Sequence, residues 1–105
     1  MVAGTAPFAI VGAALRQVER LHALRLEVES GTAASAVIER VQPPIHFRRK
    51  MLIETALRHW TADRLAKAMA MLAEASLDAR RYADLAETIA QRAMTMIARS
   101  AARRD

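Results

Sequence analysis

Residues 6–31 read APFAIVGAALRQVERLHALRLEVESG, from Ala6 to Gly31, and this stretch decides the fold. Val11, Ala14, Val18, Leu21, Leu24 and Val28 follow one another at steps of three and four, which keeps one apolar stripe on a helix; Arg16, Glu19, Arg20 and Glu27 lie off it. Pro7 suits a first helical turn, because its missing N–H is a donor that a helix start leaves unpaired, and Thr5 is placed to cap that turn. Ser30 and Gly31 end the helix after Glu29.

Outward from this helix the same period recurs. Thr32 is predicted to cap a short second helix through Val41, with Val37, Ile38 and Val41 facing inward. Pro43 and Pro44 stop it and make a rigid corner, since the residue before a proline is pushed out of helical dihedrals; Pro44 suits the start of a third helix reaching His59. That helix opens with Arg48, Arg49 and Lys50 and turns its apolar residues Leu52, Ile53, Ala56, Leu57 and Trp60 inward. Thr61, with Asp63 behind it, is predicted to cap a fourth helix that buries Leu65, Met69, Leu72 and Leu77 and exposes Lys67 and Glu74. After a break at Leu77 to Ala79, a fifth helix carries Tyr82, Ala86, Ile89, Ala93, Met96 and Ile97 on one face. The tail Arg103, Arg104, Asp105 is expected to fray. With no strand pattern and no repeat, the expectation is a single all-α domain over residues 1–105, a compact bundle of about five helices.

Composition agrees. A chain of 105 residues has room for one core and not two, and 53% hydrophobic with 26% charged residues marks an ordered globular chain. Aromatics are only 4%, whereas alanine recurs from Ala66 to Ala75 and again from Ala83 to Ala93, which favours helices whose backbones approach closely. The formal charge of +5 favours an acidic partner, a polyanion or an anionic surface. Lys50 and Lys67 are the only lysines; arginine forks fit phosphate and carboxylate, although arginine richness also follows from genomic base composition. The absence of cysteine excludes disulfides, thiolate metal sites and cysteine nucleophiles, and fits a reducing, cytoplasmic setting. Residues 1–15 carry no charge, but lack the basic start of a signal peptide and the length of a membrane span.

His22, His46 and His59 show no metal-ligand spacing, Ser30, Ser35, Ser76 and Ser100 sit in no nucleophile-elbow sequence, and Gly4, Gly12 and Gly31 make no phosphate loop. Neither catalysis, nor a cofactor, nor a metal is therefore expected of this chain. Two features stand out. In Pro43-Pro44-Ile45-His46-Phe47-Arg48-Arg49-Lys50 a corner presents two rings and then three cations, an arrangement able to stack a base and hold phosphates. Spacing alone favours the plainer alternative, the start of an ordinary helix with Phe47 in the core and the cations in water. In Arg80-Arg81-Tyr82 a ring follows two cations at the start of the last helix; Tyr82 falls in phase with Ile89 and Met96, which favours burial, yet a ring at a helix start can keep an edge exposed.

The order of these elements resembles a known family. Leu21-His22-Ala23-Leu24-Arg25, then Val41-Gln42 leading into the proline corner through Lys50, then Leu57-Arg58-His59-Trp60-Thr61, Arg64, Leu65 and the Leu77-Asp78 break are similar to the C-terminal region of the delta subunit of bacterial DNA polymerase III. The likeness covers about Phe8 to Arg99, and the proline pair followed by an aromatic residue and Arg-Lys is its most specific part. It implies a collar domain of the clamp loader, the ATP-driven pentamer that opens the sliding clamp and places it on primed DNA. The AAA+-like, clamp-binding part of such a subunit is absent here, so the chain is expected to be non-catalytic by itself within a DNA-directed DNA polymerase holoenzyme. The implied partners are gamma/tau-type and delta-prime-type subunits through the collar, and primed DNA in the assembled replisome. Implied DNA-facing candidates are His46, Phe47, Arg48, Arg49, Lys50, Arg80, Arg81 and Tyr82, with stacking at His46 weaker than a larger ring would give. The rival expectation is a stand-alone small basic helical DNA-binding protein, which would need a recognition helix that the sequence does not display.

Overall fold

A computed structural model of the chain describes residues 6–41 and 46–102. In order these form α1 (Pro7–Glu29), α2 (Ala34–Glu39), α3 (Phe47–His59), α4 (Ala62–Arg81), a 3₁₀ turn (Ala83–Leu85) and α5 (Ala86–Ala102). There is no strand among the described residues, and the architecture is the expected compact all-α bundle. The Thr5 cap, the Pro43-Pro44 corner and the tail Arg103 to Asp105 lie outside the described residues.

Helix α1, at 23 residues, is about 34 Å long and acts as the spine. Its N-terminal half buries Val11 against Leu72 and Ala75 of α4 and Ala90 and Ala93 of α5. Its C-terminal half buries Leu24 against Val37 and Ile38 of α2 and Leu57 of α3. Two apolar clusters therefore share one helix. The alanine richness has its use in the first of them: all three buried residues of α5 are alanines, Ala86, Ala90 and Ala93, so α5 lies close to its neighbours without needing large side chains. Helix α3 packs on α1 and α2 and meets α4 through the corner residue Arg64.

Helix α1 ends as a Schellman motif. Gly31 takes a left-handed φ of 113°, its N–H donates to the Val28 carbonyl at 3.1 Å, and the Thr32 N–H donates to the Glu27 carbonyl at 3.2 Å. Thr32 thus completes α1 and does not cap α2, whose N-cap is Ala33. Thr61 does cap α4, its hydroxyl accepting the Arg64 N–H at 3.2 Å.

The break expected at Leu77 to Ala79 is not there. That segment holds no glycine or proline, and α4 continues through Arg80 and Arg81, cations suited to the negative end of a helix dipole. The chain leaves the helix only at Tyr82, where ψ swings to 69°. The buried stripe of α4 is Leu65, Ala68, Leu72, Ala75 and Ala79, so Leu77 falls on the solvent side. Met96 and Leu52, also expected inward, are exposed.

Candidate functional site

The described part of the basic corner begins at His46. This residue is the N-cap of α3, and its ring accepts the Arg48 backbone N–H through Nδ1 at 3.3 Å. The cap occupies one edge of the imidazole that the sequence reading offered for stacking. Phe47, the first residue of α3, is 73% exposed and stands outside the core. Arg48 and Arg49 are exposed as well, whereas Lys50 is half-buried and paired with Glu39 of α2 at 3.3 Å. Of the three cations, Lys50 therefore has a structural partner in the fold.

Arg80 and Arg81 close α4 and do not open the last helix, and Tyr82 forms the joint between α4 and the 3₁₀ turn. The burial favoured for Tyr82 by its phase with Ile89 and Met96 does not occur: it is 52% exposed, because it precedes α5 by a turn and does not share that helix's period. Arg80 lies over the ring of Phe8, 4.9 Å from its centroid, so it is held on the first turn of α1.

The two clusters are not brought together. Arg80 rests on Phe8, while Arg49 lies beside Arg20 in a cleft between α1 and α3. Phe8 and Arg20 are twelve residues apart on α1, about 18 Å along its axis.

Sequence reasoning missed that cleft. Arg20, Leu21 and Leu24 of α1 and Arg49, Leu52 and Ile53 of α3 line it. Leu52 and Met51 are 72% and 61% exposed, Leu52 on the side of the cleft and Met51 one turn on from the exposed Phe47, so α3 carries apolar side chains outside the core on more than one side. A signal for it was present: Met51, Leu52 and Ile53 are consecutive, and a helix apolar on more than one side has more than one surface to cover.

At the other end of α3, a second arginine has a structural role. The Arg64 guanidinium donates to the Ser100 carbonyl near the end of α5 and, at 3.4 Å, to the His59 carbonyl at the end of α3, and lies 4.6 Å from the Trp60 ring centroid. It supplies donors to carbonyls that two helix ends leave without intrahelical partners. The pKa of Glu29 is lowered, first by the hydrogen bond from Arg25 and then by the backbone N–H of Ala62.

Among the described residues no group of three or more His, Asp or Glu side chains could hold a metal ion, and no helix is long and apolar enough to cross a membrane. Comparison with protein-family models, with curated proteins and with solved structures finds no match to this chain.

Proposed function

We propose that this chain is a helical assembly domain of the clamp-loader collar type, resembling the C-terminal region of the delta subunit of bacterial DNA polymerase III, with no catalytic role of its own. The ordered motif series from Leu21 to Leu65 supports the family reading. The observation that supports the assembly role is the exposure of Phe47, Met51 and Leu52 on α3, a helix whose other side is packed through Leu57 and Ile53. Large apolar side chains gathered on one exposed helix suit a place where another molecule sits.

In this reading the chain joins gamma/tau-type and delta-prime-type subunits in a cytoplasmic replisome. Arg48 and Arg49, at the start of the same helix α3, then lie nearest the primed DNA, while Arg81 and Tyr82 offer a separate contact at the far end of α1. The experiment is to fuse the chain to an AAA+-like N-terminal part of a delta subunit and purify it with the remaining clamp-loader subunits. Entry into a pentamer is expected; exclusion from it sinks the reading. Within that pentamer, Arg48→Ala with Arg49→Ala should weaken binding to primed DNA and flatten its salt dependence, since each lost phosphate contact lowers counterion release. Tight, partner-free binding of the isolated chain to DNA in a mobility shift would favour the stand-alone DNA-binding protein instead.

A further inference from the structure

The cleft between α1 and α3 holds about 220 Å³ and joins an apolar floor to a rim of one sign. Leu21, Leu24, Leu52 and Ile53 form the floor, and the only charged residues lining it are Arg20 and Arg49. Elsewhere in this half of the molecule Arg25 pairs with Glu29, Arg40 with Glu27, Lys50 with Glu39 and Arg58 with Glu54, and Arg48, which does not line the cleft, stands exposed without an ion pair. Among the described residues Arg20 and Arg49 have no ion pair, and both stand exposed.

We propose that this cleft docks an acidic amphipathic helix of another protein, with that helix's apolar side chains entering over Leu21, Leu24 and Leu52 and its carboxylates pairing with Arg20 and Arg49. The surface itself selects this occupant. A groove between two helices with an apolar floor accepts the apolar stripe of a third helix. A nucleic acid would satisfy the arginines and leave the exposed Leu52 against phosphate and sugar, burying none of the floor. A second copy of the chain, meeting this face with its own across a two-fold axis, would bring the Arg20 and Arg49 charges of the two copies together. A small-molecule ligand is disfavoured by size, because such sites usually enclose roughly 300–1,000 Å³. Carboxylates flanking an apolar stripe complete both parts of the site at once. Arg49 and Leu52 are shared with the proposed function, whereas Arg20, Leu21 and Leu24 belong to the cleft alone, so binding of an acidic helix here can stand or fail separately from entry into a clamp loader.

The test uses the full chain, isotope-labelled, and a synthetic helical peptide with leucine at every third and fourth position and glutamate on both flanks of that stripe. Saturable binding is expected, with the largest resonance shifts at Leu21, Leu24, Leu52 and Ile53. Replacing the peptide's glutamates by glutamine should weaken binding about tenfold or more, as should Arg20→Glu with Arg49→Glu in the protein. Both arginines are exposed, so the doubly substituted chain should keep its helical circular dichroism; Leu52→Glu, at another exposed position, tests the floor and should abolish binding. The proposal is overturned by absence of saturable binding, by shifts centred away from the cleft, or by equal affinity for the glutamine peptide. Self-association that disappears with Leu52→Glu, or a DNA oligonucleotide that shifts the same floor residues more tightly than the peptide, overturns it too.

Discussion

Glu29, the last residue of α1, accepts the backbone N–H of Ala62, the first residue of α4, at 2.9 Å. The same carboxylate oxygen receives Arg25 Nε at 2.7 Å, and Arg25 in turn donates through Nη1 to the Leu57 carbonyl of α3. One acid and one arginine thereby tie together the ends of three helices. The Ala62 N–H is among the donors that a helix start leaves unsatisfied, so the carboxylate acts on α4 as a cap borrowed from α1.

This arrangement has a pH signature. The folded pKa of Glu29 lies below its ordinary value of about 4.3, because the Arg25 hydrogen bond and then the Ala62 N–H favour the charged form. The resulting stabilisation is complete above the ordinary value and is lost as pH falls through the folded one. Glu29→Gln should therefore lower the melting temperature at neutral pH, and the gap to the wild type should close in the acid range. A gap that stays constant from neutral pH to the acid limit would show that the charge of Glu29 does not matter.

Leu57→Ala and Leu72→Ala each remove a fully buried side chain, one from each apolar cluster, and each should cost about 2–5 kcal/mol in denaturant unfolding. Leu52→Ala, on the exposed face of α3, should stay within about 0.5 kcal/mol. Comparable losses at positions 52 and 57 would mean that α3 presents a different face to α1.

Gly31→Ala should lose about 1 kcal/mol, because a left-handed backbone is strained for any residue with a Cβ. The cost is purely local, since nothing lies within 4 Å of the added atom. Gly31→Asn should lose less, asparagine tolerating this conformation better. Equal stability of all three chains would contradict the Schellman ending of α1.

Arg64→Lys should behave as a disruptive change and not a conservative one. A lysine cannot reach two carbonyls in a fixed fork and also stack on Trp60. We expect a loss of about 1–2 kcal/mol, accompanied by faster amide exchange in the last turns of α5, where the Ser100 carbonyl loses its donor. Unchanged exchange there would remove Arg64 from that role.

The helices were legible because their apolar residues recur at steps that only a helix brings to one side: Val11, Leu24, Leu57, Leu65 and Leu72 were each read as inward and each is buried. Their ends were less so. The Thr32 hydroxyl suggested a cap, but its backbone N–H is used to close α1, a choice set by Gly31 and invisible in residue type alone. The α4–α5 joint was misplaced because Leu77 matches the helical period only loosely, and alanines, silent on most hydropathy readings, form much of the true stripe. At the candidate site, sequence order placed Arg48 and Arg49 in one cluster with Lys50; the Lys50–Glu39 pair across the α2–α3 corner and the cleft that Arg20 shares with Arg49 arise from contacts between helices, which residue order does not display.

The sharing of α1 by two apolar clusters bears on how the molecule comes apart. Helices α2 and α3 bury their side chains on the second half of the spine, whereas α4 and α5 enclose Val11 of its first half and α4 also reaches the end of the spine through the Ala62–Glu29 hydrogen bond. Because the first cluster contains no residue of α2 or α3, departure of those two helices would break the Arg25–Leu57 and Arg64–His59 hydrogen bonds and leave Val11, Leu72, Ala75, Ala90 and Ala93 packed, so an order of loosening is expected. Amide protection should then divide the chain into two levels, and the lower one includes the face that a partner would hold in place.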